Sequence, residues 1–265
     1  MPYISVNGLT LFYEISGNDK YPSILFISGL GGDHRAWTKI INYLEYPYSI
    51  ITFDNRDACM SERSNQPYTI KDMADDVAEL LHSIGVNKSH IVGYSMGGAI
   101  AQEIAISYPN LVDKLILLST YTSGDPRGDV IFGSLASVRS KVSTEEFLRL
   151  SLPWSFSVDE FKIPGFIENL IKDNSLDEHR QEYSAYERQM KATISFESSS
   201  RLGHIHAPTL MIFGDADILT PMRFALELVE GIKSSNLIIL EKSGHGIVLT
   251  RARDIACEID KFLLT

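Results

Sequence analysis

The sequence predicts an α/β fold, in which a mostly parallel central sheet of about eight strands carries helices on both faces. Three observations lead to this prediction. Short continuous apolar runs alternate with helical patterns along most of the chain. Two further runs at the start are joined by Asn7-Gly8, a dipeptide typical of tight hairpins. Residues 121–201 lack any buried strand, which indicates an insertion between two strands of the sheet.

The strand-like runs mark the predicted sheet. In chain order they are Tyr3–Val6, Leu9–Ile15, Ser23–Ser28, Ser49–Phe53, Ser89–Gly93, Lys114–Leu118, Thr209–Phe213 and Asn236–Leu240. We expect the first two to pair antiparallel through the Asn7-Gly8 turn. The later runs are apolar throughout, as strands buried on both faces are, so we expect them to be parallel.

Helical patterns lie between these runs. In Ile70–Ile84 the apolar residues recur every three or four positions and form one stripe, with Thr69 as a candidate N-cap and Gly85 as a stop. The other helices predicted outside the insertion are Trp37–Leu44, Met96–Tyr108, Met222–Gly231 and Ala252–Leu263. Helices between parallel strands cover both faces of a sheet.

Residues 121–201 are too many for a loop without structure. They contain the helix-like pieces Thr144–Leu150 and Glu178–Lys191 and many aromatic side chains. We therefore expect a helical cap here, with residues 1–120 and 202–265 forming the core. Seven of its side chains are candidates for a pocket lining or for packing alone: Trp154, Phe156, Phe161, Phe166, Tyr183, Tyr186 and Met190.

Composition limits the class of protein. The chain has 265 residues, 24 Lys and Arg against 34 Asp and Glu, and a formal net charge of −10. This balance argues against binding to nucleic acid or to an anionic membrane surface. Two distant cysteines indicate neither a disulfide framework nor a zinc site. There is no signal-peptide pattern and no run long enough to span a bilayer, so we expect a cytoplasmic protein. The oligomeric state is not indicated.

The stretch His90–Ala105 suggests a nucleophile. Gly93-Tyr94-Ser95-Met96-Gly97 fits G-x-S-x-G, with an apolar strand before it and a helix after it. In such a turn the serine takes a strained backbone conformation, and its small neighbours let strand and helix approach. The hydroxyl of Ser95 then lies at a helix N-terminus, where the backbone N–H of Met96 can stabilise an oxyanion.

A serine nucleophile needs a base and an acid that orients the base. Acidic residues follow the strand Thr209–Phe213, and His245 follows the next strand in Ser-Gly-His-Gly. At these residues the chain resembles the α/β-hydrolase fold family, over nearly its whole length; the cap matches in position only. The resemblance implies His245 as the base and, between Asp215 and Asp217, favours Asp217 as the acid.

The resemblance also implies a second oxyanion donor, the backbone N–H of Leu30, in the glycine-rich loop that follows Ser23–Ser28. Two segments depart from the family pattern. Ser28 stands where histidine is usual, and Asp57-Ala58-Cys59 replaces a glycine-rich version of the loop after Ser49–Phe53. We expect that loop to be structural, with Arg56 binding backbone or carboxylates, and we expect Cys59 to pack rather than react.

The expected activity is hydrolysis of a small to medium carboxylic ester through an acyl-enzyme, with no metal or organic cofactor. An enol-lactone hydrolase or carbon–carbon bond hydrolase of aromatic catabolism stays open on the same scaffold. Thr38-Lys39 after Trp37 argues against the carbon–carbon enzymes, which the resemblance leads us to expect with an asparagine there. A ligand-sensing receptor that retains the triad is a further alternative.

Overall fold

The computed structural model describes residues 2–265. Over that range eight strands form one sheet: β1 (Tyr3–Val6), β2 (Leu9–Gly17), β3 (Ser23–Ile27), β4 (Ser49–Phe53), β5 (Ser89–Tyr94), β6 (Val112–Leu118), β7 (Thr209–Gly214) and β8 (Ser235–Leu240). Their order is β1-β2-β4-β3-β5-β6-β7-β8. β2 pairs antiparallel with β1 and β4, and all other pairs are parallel.

The α-helices found within residues 2–265 are α1 (Thr38–Tyr43), α2 (Ile70–Ser83), α3 (Met96–Ser107), α4 (Pro126–Arg139), α5 (Thr144–Ser155), α6 (Val158–Phe161), α7 (Phe166–Ser175), α8 (Tyr183–Ile194), α9 (Met222–Gly231), α10 (Ile247–Thr250) and α11 (Ala252–Leu263). Short 3₁₀ helices cover His34–Trp37, Pro109–Leu111 and Ser199–His204. The predicted fold class is therefore confirmed: the sheet is mostly parallel and its helices pack on both faces.

Two apolar layers hold the helices on the sheet. One face of the sheet packs against α2, α3 and α9, and the other packs against α1, α10 and α11. β3, β5 and β7 each lie between two other strands of the sheet, and nearly all of their residues are buried. This burial explains why these strands read as continuous apolar runs.

Local chemistry accounts for the ends of these helices. Thr69 caps α2 and forms a reciprocal capping box with Asp72. Pro221 precedes α9, and Gly85, with φ +77°, follows α2 where the chain turns away. None of the helices within residues 2–265 combines the length and apolarity that crossing a membrane requires.

Helices α4–α8 follow one another between β6 and β7. We refer to residues 126–194 as the helical insertion. Two small apolar clusters lie within it, one around Phe147 and Tyr186 and one around Phe156 and Ile171, and Ala192 joins the core of the sheet. The division of the chain at residues 121 and 201 into a core and a cap stays a prediction.

Candidate active site

Ser95 lies in the sharp turn between β5 and α3, with φ +55° and ψ −118°. Its glycine neighbours make that turn possible. A Cβ at Gly97 would lie 2.0 Å from the carbonyl oxygen of Ile27, and one at Gly93 would lie 2.3 Å from the carbonyl oxygen of Gly97. Strand and helix therefore approach so closely that side chains at these positions are excluded. The hydroxyl of Thr120 donates a hydrogen bond to the carbonyl of Ser95 at 2.8 Å and so stabilises the turn.

His245 and Asp217 meet Ser95 at the carboxyl ends of the strands. Nε2 of His245 lies 2.9 Å from Oγ of Ser95, and Nδ1 lies 2.8 Å from Oδ2 of Asp217. With the proton on Nδ1, His245 donates to Asp217, and Nε2 accepts from the serine hydroxyl. The three residues come from the ends of β5, β7 and β8, and the structure brings them into one hydrogen-bonded line.

Asp217 is buried and well bonded. It accepts hydrogen bonds from the backbone N–H groups of Leu219 and Thr220 and from the hydroxyl of Thr220 at 2.6 Å. Burial by itself raises the pKa of Asp217, but the charge of His245 and these hydrogen bonds outweigh it and lower the pKa below its ordinary value. Asp217 is thus held as a carboxylate beside His245. Asp215, the other acid that the sequence left open, is exposed and accepts from the backbone N–H of Ser243 at 3.3 Å.

Two backbone N–H groups near Ser95 have no acceptor within residues 2–265, those of Leu30 and Met96. Leu30 lies in the loop after β3, and Met96 begins α3. The loop approaches the serine closely, because a Cβ at Gly29 would lie 3.1 Å from the Cβ of Ser95. These two groups are the sequence's candidates for oxyanion donors, and the structure leaves both of them unbonded.

Ser28 has a structural explanation. Its hydroxyl donates to the carbonyl of Asp33 at 2.7 Å and accepts from Nε1 of Trp37 at 2.8 Å. Its carbonyl accepts from Nδ2 of Asn55 at 3.1 Å. Ser28 therefore fixes the loop that carries Leu30 to the helix that follows it and to the neighbouring loop.

The segment of residues 54–61, which we call the Asp57 loop, connects the sheet to the helical insertion. The buried carboxylate of Asp57 accepts from Nε and Nη2 of Arg188 at 2.8 and 2.7 Å, and from the hydroxyl of Tyr68. Gln189 donates to the carbonyl of Arg56 at 2.9 Å and accepts from the backbone N–H of Gly31. The expectation of a structural loop agrees with these contacts.

Arg56 binds the carboxylate of Asp76 in α2 through two hydrogen bonds, at 2.7 and 2.8 Å. Cys59 is buried, and this burial, together with the nearby acidic charges, raises the pKa of its thiol to about 12. A neutral thiol is a poor nucleophile, which supports the expectation that Cys59 packs rather than reacts.

Asp33, His34, Asp54 and Cys59 bring four possible metal-ligating atoms within 4.8 Å of one another. Asp33 binds Arg35, and Asp54 accepts from Nδ1 and the backbone N–H of His34. These contacts occupy the carboxylate oxygens that would otherwise bind a metal. The cluster therefore holds the loop after β3 and the loop after β4 together. His34 begins the 3₁₀ helix His34–Trp37 and does not line the cavity described next.

A cavity of about 980 Å³ lies over Ser95 and His245. The loop after β3 forms one wall and the helical insertion forms the other. Of the seven candidate lining residues, Trp154, Phe156 and Tyr186 face this cavity. Phe166 packs edge-on against Phe156, and Met190 lies in the cluster with Tyr186.

Two contacts at the site could not be predicted from the sequence. The hydroxyl of Tyr94 donates to the carbonyl of His245 at 3.1 Å, and its ring lies 5.2 Å from the imidazole. From α6, the buried carboxylate of Glu160 accepts from the backbone N–H of Gly244 at 2.9 Å and from the hydroxyl of Thr250 at 2.6 Å. Both contacts hold the loop at His245, and both join residues far apart in the chain.

The comparisons with known proteins agree with this fold. Residues 22–252 match the model of the alpha/beta hydrolase fold family, and the chain belongs to that family. Its sequence is 28% identical over 260 residues to "Putative carbamate hydrolase RutD" of Agrobacterium fabrum, covering 96% of this chain and 98% of that protein. On this evidence the chain is a hydrolase built on the α/β-hydrolase scaffold.

Solved structures share the fold along the full chain. The crystal structure of the enol-lactonase from Burkholderia xenovorans LB400 superposes with a TM-score of 0.89 at 23% identity, covering 100% of both chains. The α/β-hydrolase enzyme MGS-M2 from a Medee basin deep-sea metagenome library superposes with a TM-score of 0.88 at 18% identity, covering 99% of this chain and 97% of that one. At these identities the likeness extends to the fold alone.

Proposed function

We propose that this chain is a serine hydrolase that cleaves a small to medium carboxylic ester through an acyl-enzyme. The observation that carries the proposal is the hydrogen-bonded line from Ser95 through His245 to Asp217, at 2.9 and 2.8 Å, at the floor of the cavity. Distances in this range allow direct proton transfer between the groups. The helical insertion would then act as the cap that shapes the pocket.

In the first half of the reaction Ser95 attacks the ester carbonyl while Nε2 of His245 takes the hydroxyl proton. The negative charge that develops on the carbonyl oxygen is stabilised by the N–H groups of Leu30 and Met96. The carbon–oxygen bond to the alcohol breaks, and the alcohol leaves with the proton from His245. Asp217 holds the imidazole in the required tautomer and stabilises its positive form.

In the second half water takes the place of the alcohol. His245 removes a proton from the water, the resulting hydroxide attacks the acyl carbon, and the bond to Ser95 breaks as the proton returns to the serine. The same two N–H groups stabilise the second oxyanion. Each such donor is expected to contribute roughly 10²- to 10³-fold to the rate.

The first experiment is intact-mass spectrometry after incubation with a fluorophosphonate, together with hydrolysis of short and medium p-nitrophenyl esters. We expect one adduct, on Ser95, and turnover of the esters. Ser95→Ala is expected to lose the adduct and to lower kcat by about 10⁴-fold or more. Ser123→Ala is the matched control, since Ser123 also lines the cavity, and it is expected to keep both properties.

An adduct that persists in Ser95→Ala would reject Ser95 as the nucleophile. An adduct without ester turnover would reject the proposal that the substrate is an ester. It would indicate that Ser95 attacks another kind of bond. The name of the 28% identical relative favours carbamates as a second candidate. A p-nitrophenyl carbamate in the same assay series tests it, because cleavage of the carbamate without cleavage of the esters would reverse the preference.

A further inference from the structure

Two arginines in the wall of the cavity lack a carboxylate partner. Arg139 ends α4, and Arg180 lies between α7 and α8. Over residues 2–265 neither forms an ion pair. Arg35 in the same wall differs, because it binds both Asp33 and Asp177. Arg139 and Arg180 therefore bring two positive charges to the cavity wall with no carboxylate paired to either.

Arg139 is held in a defined position. Its guanidinium carbon lies 4.6 Å from the ring centre of Phe147 and 4.7 Å from that of Tyr186. Nη2 donates to the carbonyl of Gln181 at 2.9 Å, which uses one of the five donors of the guanidinium. Burial, reinforced by the charge of Arg180, lowers the pKa of Arg139. Arginine nonetheless stays protonated in proteins, so a half-buried charge remains with most of its donors free.

This charge belongs to the same cavity as Ser95. Arg139, Arg180, Ser95 and His245 all line it. The ring of Tyr186, which packs against Arg139, also lies 3.9 Å from where a Cβ on Gly31 would be, next to Leu30. A molecule that reaches from the serine along this wall therefore meets the guanidinium.

A second group on this wall also lacks a partner. Gln181 is buried, and its Oε1 accepts no hydrogen bond within the described part of the chain, while its Nε2 donates to the carbonyl of Asp57. Oε1 lies 3.5 Å from the Cβ position of Gly31. A buried acceptor without a donor is costly unless a ligand or water supplies the hydrogen bond. The wall thus carries, besides the unpaired cation, a buried acceptor that a hydrogen-bond donor of the ligand or a water can satisfy.

We propose that Arg139, supported by Arg180, binds a carboxylate at the far end of the substrate, so that the preferred substrate is an anionic acyl compound. This inference rests on the proposed function, in which Ser95 attacks the acyl carbon. The planar guanidinium matches a carboxylate through paired hydrogen bonds, and the low polarity around Phe147 and Tyr186 strengthens them. The cavity lining also contains acidic side chains: Asp33, Asp125 and Asp177 are already paired with arginines, and Asp129, Asp173 and Glu178 are exposed.

The test compares two substrates that differ in one charge, p-nitrophenyl hydrogen adipate and p-nitrophenyl methyl adipate. We expect the wild-type protein to prefer the acid in kcat/KM by about tenfold or more. Arg139→Gln is expected to lower kcat/KM for the acid by about 10- to 100-fold, mainly through KM, and to change it for the methyl ester by less than about twofold. Arg149→Gln, at an exposed arginine of the same insertion, is the control and is expected to change neither.

A second measurement separates this proposal from the esterase proposal. In the Ser95→Ala background, calorimetry gives the dissociation constants of monomethyl adipate and dimethyl adipate without any turnover. We expect the anion to bind more tightly and Arg139→Gln to weaken only its binding, by about tenfold. Equal binding of the two probes, or equal weakening of both, would overturn the proposal and leave Arg139 as a structural contact.

Arg180→Gln covers the case in which Arg139→Gln fails to fold. Arg180 is exposed, so its replacement leaves the packing in place. It is expected to weaken binding of monomethyl adipate by about threefold, because it removes a nearby charge rather than the main contact. No change in binding of the anion would count against the proposal. Failure of the wild-type protein to cleave any ester rejects the proposed function, whereas these binding constants still decide the anion site.

Discussion

The sheet and the helical insertion are held together in different ways. β7 is buried along its whole length, and α3 buries ten consecutive residues from Met96 to Ala105. In the insertion, by contrast, α4 buries only Ile131 and Ala136, and α7 buries only Ile171. The insertion therefore depends on small apolar clusters and on polar contacts to loops of the sheet, whereas the sheet depends on a continuous core.

This difference separates two requirements of the proposed hydrolase. A nucleophile on a strained turn needs a rigid support, which the close contact of β5 and α3 supplies. A substrate must enter the cavity, and a region with few buried contacts opens at a lower free energy than the core does. We therefore expect the insertion to exchange its amide hydrogens faster than the sheet.

The largest expected effect compares one glycine from each region. In Gly97→Ala the new methyl group would meet the carbonyl of Ile27 at 2.0 Å, so we expect a loss of about 3 kcal/mol or more in the free energy of unfolding. In Gly133→Ala, within α4, nothing lies within 4 Å of the new Cβ, and we expect a gain of about 0.5–1 kcal/mol. Urea unfolding followed by circular dichroism measures both; similar losses would contradict the comparison.

The second prediction concerns the junction at the Asp57 loop. Asp57 has φ +69°, which asparagine tolerates, so Asp57→Asn removes the charge while keeping the backbone. We expect a cost on the order of 3 kcal/mol, because the buried contact with Arg188 loses its counter-charge. Arg149→Gln breaks the exposed pairs to Glu145 and Glu168 and is expected to leave the unfolding curve unchanged. Equal unfolding curves for the two variants would mean that the contact between Asp57 and Arg188 stabilises the protein no more than an exposed ion pair does.

The smallest expected effect is at the other junction, where Glu160 holds the loop before His245. In Glu160→Gln the amide oxygen can still accept from the backbone N–H groups of Ser157 and Gly244, but both hydrogen bonds lose the assistance of the negative charge. The new N–H₂ faces the Thr250 hydroxyl, which must turn from donor to acceptor. We expect a loss of about 1–2 kcal/mol in stability and a fall of about tenfold in kcat with KM unchanged, because the imidazole is less well positioned. Steady-state kinetics on a p-nitrophenyl ester measures kcat and KM separately.

Asp159→Asn is the control for that variant, since Asp159 lies on the same short helix and is exposed. It is expected to change neither kcat nor stability. If Glu160→Gln raises KM and leaves kcat intact, Glu160 shapes the pocket wall and does not position His245.

The prediction of elements from the sequence succeeded where one physical cause dominates. The bounds of α9 and α11 agree with the predicted Met222–Gly231 and Ala252–Leu263, because each has an apolar stripe and clear ends. α4 was missed, because it buries too little to show a stripe. α5 was predicted to end at Leu150 but continues through Pro153 to Ser155, since its packing outweighs the hydrogen bond that proline removes.

The sequence by itself determined the parts of this protein that depend on local physics. Apolar runs specified the strands, and the small residues around Ser95 specified the sharp turn, because steric exclusion acts between near neighbours. Places at strand ends also indicated His245 and, as alternatives, Asp215 and Asp217, between which the family resemblance favoured Asp217. Their distances to Ser95 came with the fold, and their catalytic roles stay predictions.

Only the tertiary structure decided which distant groups face each other. Arg188 and Asp57 are 131 residues apart, and Glu160 and Gly244 are 84 residues apart, so no local pattern pairs them. The sequence likewise cannot predict that Arg139 lacks an ion-pair partner, because an acidic chain has many carboxylates that could pair with it. Coulomb and hydrogen-bond energies depend on distance in space, and for these groups the folded chain alone sets that distance.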